Sequence, residues 1–287
     1  MSKKLSIAIA TYNEEKNIAD CLESVKKIAD EIVIVDGSST DNTVQIAKQF
    51  GAKVTVTTNP KIFHINKQKS FDLSTGDWII CLDADERISS KLGLEVKKII
   101  EMENDEIQIY QNNIKKRKLF LRHQTLLDLR DGPIGDKEGE YVAFFFPRLN
   151  YFLGKFLKYG GVYPDGVIRL FKKNKAYLPC KDVHEQMVVE GKVGWLENDL
   201  LHFDSPTLSR YLTRNNRYIN LMVEQYKKDQ TPKNLTMFLV FVLIKPIFWF
   251  LWTQIRHKGI LDGFPGIIFS FFSALRFPRS YLRYLRN

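Results

Sequence analysis

The sequence has few cysteines, and none of them stand at the short CxxC spacing of metal or redox motifs. Its three cysteines are Cys21, Cys81 and Cys180, and the first two lie inside apolar segments. Widely spaced cysteines of this kind are typical of reduced thiols and not of a disulfide framework. We therefore expect unpaired thiols, two of them in the core, in a protein of the cytoplasm.

The N-terminus lacks the apolar length of a secretory signal. Lys3 and Lys4 precede only residues 5–10 as an apolar stretch, and Glu14 and Glu15 follow soon after. A signal peptide needs an apolar region of about 7–15 residues before its cleavage site. We interpret residues 5–10 as the first strand of the fold.

Glycine is missing where two kinds of nucleotide-binding protein require it. No GxGxxG string follows the first strand, and residues 11–15 contain no glycine. The first absence argues against a dehydrogenase-type dinucleotide fold, and the second against a nucleotidyltransferase with a glycine-rich phosphate loop.

The overall composition is that of a folded and strongly basic protein. In 287 residues, 44% are hydrophobic and 26% are charged, and the formal net charge is +10. This length suffices for one large α/β domain with an appendage. The positive charge favours an anionic partner, such as a nucleotide, a lipid headgroup, a phosphorylated glycan or nucleic acid.

Strand and helix patterns alternate from the N-terminus. Apolar strands are predicted at residues 5–10, 31–35 and 52–57, with helices at about 14–27 and 42–50 between them. This βαβαβ order predicts right-handed parallel crossovers, and hence an α/β fold with a doubly wound, mostly parallel sheet.

A further apolar run, Trp78–Leu82, ends in two carboxylates, Asp83 and Asp85. Such a run is typical of a strand buried on both faces, and ligands of open α/β sheets bind beyond the carboxyl ends of the strands. Alternation places both carboxylates on one side, with Ala84 pointing away. Their repulsion is relieved by a divalent cation, Mg²⁺ or Mn²⁺. The alternative is a solvated acidic turn, which the preceding buried strand makes the weaker interpretation.

Polar groups also follow the earlier strands. They can stack on a base or bond to base and ribose, and they are Tyr12, Asn13, Glu14, Asp36 and Ser38. A short helix at residues 66–74 carries Lys67 and Lys69, which either meet a phosphate or lie on a solvated face.

Three strings at these strand ends resemble family 2 glycosyltransferases of the GT-A fold. They are Thr-Tyr-Asn-Glu-Glu from Thr11, Val-Asp-Gly-Ser-Ser-Thr-Asp-Asn-Thr from Val35, and Gly-Asp-Trp-Ile-Ile-Cys-Leu-Asp-Ala-Asp-Glu from Gly76. The resemblance implies metal-dependent, inverting transfer of a sugar from a nucleotide donor. It places Tyr12, Asn13 and Glu14 in the nucleotide pocket, Asp36 at the base, Asp83 on the ribose side and Asp85 at the metal. Thr11, Ser38 and Lys69 are further candidate contacts of the nucleotide sugar.

The second half contains Tyr163-Pro164-Asp165, Arg169-Leu170-Phe171 and His184-Glu185. These are similar to a bacterial subgroup of family 2 that includes lipopolysaccharide-core glucosyltransferases. The acceptor-side Glu-Asp pair of the wider family is not clearly present, so Glu185 is the first candidate for the general base and Asp165 the second. His184 is either a metal ligand or a packing residue. Arg169 holds either a phosphate or an internal carboxylate.

The C-terminal part changes character after an amphipathic helix predicted at residues 206–228. Residues 235–255 are mostly apolar and long enough to span a bilayer, but Lys245 and Pro246 lie at their centre. The next apolar block, residues 267–275, is too short to cross. Arg276, Arg279, Arg283 and Arg286 recur on one helix face. We expect helices lying in the inner leaflet, with a helix pair packed on the protein or a re-entrant or transmembrane hairpin as alternatives.

The sequence therefore predicts three regions. Residues 1–104 bind the nucleotide sugar, residues 105–205 form the acceptor side with an insertion or lid, and residues 206–287 associate with a membrane. The predicted function is transfer of a sugar, with UDP-glucose as the first donor to test, to a glycan or lipid-linked acceptor of the cell envelope. The alternatives are a metal-dependent nucleotidyltransferase and a non-catalytic basic protein that binds membrane or nucleic acid; for the transferase no nucleic-acid partner is expected.

Overall fold

The computed structural model describes residues 2–181 and 186–286. The chain forms two compact units. The first comprises Met1–Arg148 and Pro164–His202, and the second comprises Leu149–Tyr163 and Phe203–Asn287. Each unit is therefore built from two separate stretches of chain. The functional division at residues 104 and 205 stays a prediction.

Strands and helices alternate in the N-terminal part of the first unit, as the sequence pattern predicts. They are β1 (Leu5–Thr11), α1 (Ile18–Val25), β2 (Glu31–Asp36), α2 (Thr43–Gln49), β3 (Lys53–Val56), α3 (His64–Leu73), β4 (Trp78–Leu82), β5 (Glu86–Ile88) and α4 (Ser90–Glu101). The short strand β5 separates β4 from α4. The helix begins only after Ser89, whose side chain accepts a hydrogen bond from Leu92 N at 3.2 Å and so caps it.

The sheet begins with four parallel strands in the order β3-β2-β1-β4. The register pairs Thr11 with Asp36 and Ile9 with Leu82, so the carboxyl ends of β1, β2 and β4 lie at one edge. Beyond β4, strand β8 (Asp165–Lys172) and then β6 (Asp136–Phe152) add in antiparallel fashion. The predicted α/β class with a large doubly wound sheet is confirmed.

Strand β4 is buried on both faces. Trp78, Ile80 and Leu82 belong to one hydrophobic cluster, and Ile79 and Cys81 belong to another, all at 1% exposure or less. Burial of one such aliphatic side chain is worth about 1.5–3 kcal/mol. The strand that leads into Asp83 and Asp85 is thus a rigid support for them.

Residues 104–131, where the sequence periodicity is weak, form two packed helices, α5 (Asn104–Asn113) and α6 (Arg117–Asp131). Their anchor is Trp195 in β11 (Lys192–Trp195). The side chain of Gln111 bonds both backbone groups of Trp195 at 2.9 Å, and Phe120 stacks on its ring at 4.7 Å. The other short strands are β7 (Lys155–Phe156), β9 (Ala176–Tyr177), β10 (Val188–Val189) and β12 (Leu200–Ser205).

The second unit is mainly helical. Its helices are α7 (Leu208–Lys228), α8 (Leu235–Leu239), α9 (Lys245–Leu251), α10 (Gly263–Ala274) and α11 (Arg276–Arg286), with π-helical turns at Val240–Ile244 and Trp252–Arg256 and a 3₁₀ turn at Gly259–Asp262. Helix α7 buries one side, including Tyr211, Ile219 and Tyr226, as its amphipathic pattern predicts.

The last two helical segments, Leu235–Arg256 and Gly259–Arg286, are here called the tail hairpin. Each is long and apolar enough to cross a membrane, which by itself is weak evidence that it does. The prediction that the second apolar block is too short is corrected, because the helix continues through Leu275 and reaches 28 residues.

Candidate functional site

The ends of β1 and β2 are joined through Asp36. Its carboxylate is fully buried and accepts hydrogen bonds from Thr11 Oγ1 at 2.8 Å, from Ser39 Oγ at 2.6 Å and from Ser39 N at 2.7 Å. Three donors on one buried carboxylate offset the cost of removing it from water. Asp36 is therefore held in one orientation at the strand edge.

The loops that follow these two strands are tied to each other. Asn13 N donates to Ser39 Oγ at 2.8 Å, and Thr40 N donates to Asn13 Oδ1 at 2.8 Å. Asn13 and Ser38 both adopt positive φ angles, 55° and 63°, which turn the chain sharply. Tyr12, which directly precedes Asn13, is 47% exposed. Thr11, Tyr12, Asn13, Asp36 and Ser38 are thus brought together, and the ring of Tyr12 is open to solvent.

Glu14 lies at the same edge, and its hydrogen bonds go to residues at the starts of the next two helices. Its backbone N–H donates to Thr43 Oγ1 at 2.8 Å, and its carboxylate accepts from Asn17 Nδ2 at 2.7 Å. These contacts connect the loop after β1 to the starts of α1 and α2. Contact of Glu14 with a nucleotide stays a prediction.

Asp83, at the end of β4, lies between two cations. Lys67 Nζ is 2.5 Å from Oδ1, and an Nη of Arg169 is 2.6 Å from Oδ2. Burial by itself raises the pKa of Asp83, but Lys67 and Arg169 outweigh burial and hold the pKa well below its usual range. The predicted phosphate ligand Lys69 is exposed on α3, because two residues along a helix turn the side chain by roughly 200°.

Arg169 continues a chain of ion pairs. The same Nη lies 2.7 Å from Glu86 Oε1, and Arg148 reaches that oxygen at 3.4 Å. Arg148 also donates twice to Asp165 Oδ2, at 2.7 and 2.9 Å. We call this set the ion-pair chain: Lys67, Asp83, Arg169, Glu86, Arg148 and Asp165. Of the two interpretations of Arg169, the internal carboxylate is the one that these contacts support.

Glu86 is the centre of the ion-pair chain and is fully buried. Its second oxygen accepts a hydrogen bond from Asp83 N at 3.1 Å, so it fixes the backbone that carries the carboxylates. Arg169 Nε is buried and has no hydrogen-bond partner within the described residues. The cluster therefore holds the strand end of β4 against β8 and β6.

Asp85 points to a histidine that we did not predict. Its Oδ1 is 3.5 Å from His202 Nε2, and His202 is buried in β12 opposite Glu86 of β5. The predicted metal ligand His184 and the first candidate base Glu185 lie outside the described residues. Within residues 2–181 and 186–286, no group of three or more potential ligands is gathered around one point.

The side chains around Asp85 are compatible with a bound Mg²⁺ or Mn²⁺ ion. These ions are commonly held by one or two protein carboxylates, with substrate phosphates and water completing the shell. Asp83 already faces two cations, whereas Asp85 Oδ1 lies 3.5 Å from the Nε2 atom of His202, an imidazole that can itself ligate a divalent cation. Asp85 therefore fits as the protein carboxylate of such a site, with His202 beside it.

Sequence reasoning overlooked Glu86, Arg148 and His202 as members of the site. Glu86 directly follows Asp85, and His202 lies in a strand where buried and half-buried positions alternate. Those signals mark positions that face the interior. They do not show that side chains distant in sequence meet.

Comparison with known proteins finds glycosyltransferases. The profile of the family described as "Glycosyl transferase family 2" matches residues 6–175. An uncharacterized glycosyltransferase of Rickettsia felis is 30% identical, over 96% of this chain and 88% of its own. The lipopolysaccharide core biosynthesis glycosyltransferase LpsC of Rhizobium meliloti is 26% identical, over 95% of this chain and 91% of its own.

Solved structures resemble a smaller part of the chain. Glucosyl-3-phosphoglycerate synthase from Mycobacterium tuberculosis, crystallised with Mn²⁺, UDP and glucosyl-3-phosphoglycerate, is 23% identical. The similarity covers 36% of this chain and 41% of that one, with a TM-score of 0.30. That score is too low to support a conclusion about mechanism.

Proposed function

Since the chain belongs to glycosyl transferase family 2, we propose that it transfers a sugar, with inversion, from a UDP-sugar to a glycan or lipid-linked acceptor in cell-envelope polysaccharide synthesis. The observation that carries this proposal is the common edge at which β1, β2 and β4 end. It gathers Tyr12, Asp36, Asp83 and Asp85 on neighbouring strands. The similarity to LpsC over nearly the whole chain supports a cell-envelope acceptor.

The nucleotide is proposed to bind over the ends of β1 and β2. The exposed ring of Tyr12 offers a stacking face, and Thr11, Asn13, Asp36 and Ser38 provide the polar groups beside it. Because Asp36 and Asn13 are already fixed by hydrogen bonds, little conformational freedom is lost when the base and ribose bind.

The diphosphate is proposed to lie beyond β4. When the sugar leaves, negative charge accumulates on the nucleoside diphosphate, and stabilisation of that charge lowers the barrier. Lys67 and Arg169 lie at this edge, but their charges are compensated by Asp83 and Glu86. A divalent cation, held by Asp85 with His202 adjacent, would add Lewis-acid stabilisation when bound.

The acceptor hydroxyl needs a general base. Asp165 is the candidate within the described structure, and its Oδ2 is engaged by Arg148. Glu185 remains the first candidate from the sequence. Separate Asp165→Asn and Glu185→Gln variants distinguish the two candidates. Removal of the true base should lower kcat by a large factor and leave the KM for the donor little changed.

We propose that the enzyme works at the cytoplasmic face of the cell membrane, attached through its second unit. The two apolar helices of the tail hairpin support this location. A lipid-linked acceptor would then be presented in the surface to which the enzyme is attached.

The decisive experiment is a donor screen. The full chain is incubated with UDP-, GDP- and CMP-sugars and Mn²⁺, and nucleotide release is measured. Release of UDP, loss of that release with chelator, and its loss in Asp85→Ala are expected, with the exposed Asp105→Ala as matched control. Release of pyrophosphate would indicate a nucleotidyltransferase instead. Undiminished turnover by Asp85→Ala under chelation would contradict the proposal.

A further inference from the structure

The turn of the tail hairpin is bonded to a loop of the same unit, residues 157–163. Asp262 is 2% exposed, and its carboxylate accepts from Lys158 N at 3.0 Å and from Tyr159 N at 2.8 Å. Gly160 N donates to the carbonyl of His257 at 2.9 Å. The turn is therefore held to the same unit that contains α7.

Two side-chain hydrogen bonds join the two helical segments of the hairpin, although the buried Ser270 Oγ has no hydrogen-bond partner among the described residues. Trp249 Nε1 donates to Ser273 Oγ at 3.0 Å, and Gln254 Nε2 donates to the carbonyl of Gly266 at 3.3 Å. A Cβ atom at Gly266 would lie 2.3 Å from the carbonyl oxygen of Gly259, so the close approach requires glycine. The two segments therefore pack closely along this seam, and the large exposed apolar residues lie elsewhere on the hairpin.

The far end of the hairpin is attached to α7. Tyr226 of α7 packs its ring on Phe241 at 5.0 Å, and Phe241 stacks on Tyr281 at 4.7 Å. Tyr284 Oη donates to the backbone carbonyl of Thr231 at 2.8 Å. Both ends of the hairpin are therefore fixed to the rest of the second unit.

The exposed face of the hairpin is a continuous apolar stripe. Its members recur every three to four residues, as one side of a helix does. They are at least 37% exposed, and they are Leu235, Leu239, Leu243, Ile244, Ile247, Phe248, Leu251, Trp252, Ile255, Ile260, Leu261, Phe264, Ile267 and Phe271. A stripe of this length is unusual for a surface that meets water.

Positive charge borders this stripe. Residues 231–286 contain eight Lys and Arg residues and only one acidic residue, Asp262, which is buried. Lys233, Lys245, Arg256 and Lys258 are exposed. The partner that fits this combination is an apolar layer with an anionic surface.

We infer that the tail hairpin lies flat in the surface of an anionic phospholipid bilayer and does not cross it. A crossing hairpin would place its turn on the side opposite to its ends, and would draw loop 157–163 or the charged face of α7 into the hydrocarbon. Both are bonded to the hairpin and carry lysines or arginines, which are strongly disfavoured there. The inference rests on the membrane attachment proposed above, not on the transfer chemistry.

Vesicle binding tests the partner. The full chain is sedimented with phosphatidylcholine vesicles, with and without phosphatidylglycerol. Binding is expected to require phosphatidylglycerol and to weaken with salt. Phe248→Ser should weaken it by about ten- to a hundredfold, the loss expected for one buried aromatic, while Leu129→Ser, which alters a 79% exposed leucine on α6, should leave it unchanged. Absence of binding, or equal effects of the two variants, would overturn the inference.

Depth measurement tests the orientation. Ile244 and Ile260 are each 60% exposed, one in the middle of the first segment and one at the turn. Each is replaced by cysteine in a Cys180→Ser background, and the new cysteine is labelled with a fluorophore. The fluorescence of the label is then measured with lipids that carry a quenching nitroxide either near the headgroup or deep in the acyl chain. A flat hairpin predicts shallow quenching at both positions. Deep quenching at position 244 with shallow quenching at 260 would establish a crossing helix.

The two proposals fail separately. Asp85→Ala should keep the vesicle binding and both quenching profiles, because it alters only the donor site. If the vesicle binding held but the parent chain released no nucleotide from any donor, the proposed function would be wrong and the membrane-binding role of the tail hairpin would stand.

Discussion

Glu86→Gln is the most informative change in the ion-pair chain. Glu86 is fully buried and faces both Arg169 and Arg148, and Gln keeps its shape but removes its charge. Truncating one partner of a buried pair costs about 3–5 kcal/mol when the other charge is left uncompensated. Here each arginine keeps a second carboxylate, at 2.6 Å for Asp83 and 2.7 Å for Asp165. The expected loss is therefore that of a hydrogen bond to a charged group, about 1.5–3 kcal/mol.

The assay is urea unfolding followed by tryptophan fluorescence. Trp78 and Trp195 are buried in the first unit and report on its unfolding. We expect a lower midpoint with an unchanged slope, because the surface exposed on unfolding is the same. Glu138→Gln, at an exposed position, is the matched control and should change the midpoint little.

A double-mutant cycle tests whether the charges act together. Glu86→Gln combined with Arg148→Gln should show a coupling energy above about 0.5 kcal/mol, because the two side chains are neighbours in one network. If Glu86→Gln unfolds at the same urea concentration as Glu138→Gln, or if the coupling is zero, the reasoning about the ion-pair chain is refuted.

Three further predictions follow from other parts of the chain. Burial raises the pKa of Glu31, but hydrogen bonds from its neighbours outweigh burial and lower it from 4.5 to about 2. The Glu31 carboxylate should therefore contribute up to about 3 kcal/mol to the free energy of unfolding above pH 4.5, and this contribution should be lost as the pH falls through 2. The measurement is the free energy of unfolding of Glu31→Gln and of the parent protein between pH 7 and pH 2. Burial raises the pKa of Cys21 to about 12 and also raises the pKa of Cys81, so a thiol reagent should modify only Cys180 in the folded protein and all three after unfolding. Asp262→Asn should lower the midpoint of thermal unfolding, measured by circular dichroism, because it weakens charge-assisted bonds to two backbone N–H groups; an unchanged midpoint would show that the turn is held by other contacts.

The sheet and its functional edge could be predicted because their signals are local. The apolar run Trp78–Leu82 followed by Asp83 and Asp85 specifies a buried strand and a polar end without reference to any other residue. Parallel pairing then places the ends of β1, β2 and β4 together by topology alone. The three sequence strings that resemble family 2 glycosyltransferases lie at these strand ends, so the resemblance agrees with this placement.

The ion-pair chain could not be predicted because its members are far apart in sequence. Asp83 and Arg169 are separated by 86 residues and Glu86 and Arg148 by 62. The neighbouring sequence does not distinguish an arginine that pairs with a buried carboxylate from one that binds a phosphate. The helices α5 and α6 were missed for a different reason, since each buries only two residues, Ile107 and Gln111 in α5 and Phe120 and Leu127 in α6, and these form no regular apolar stripe.

The discontinuous second unit has a consequence for synthesis of the protein. Residues 149–163 leave the ribosome well before the turn that holds them, because Asp262 and His257 are translated about 100 residues later. At ordinary elongation rates of roughly 5–20 residues per second, this interval lasts many seconds. During that time the nascent first unit can fold, whereas the backbone N–H groups of Lys158, Tyr159 and Gly160 have yet to meet their acceptors at Asp262 and His257. Completion of the second unit therefore has to wait until Asp262 and His257 have been synthesised.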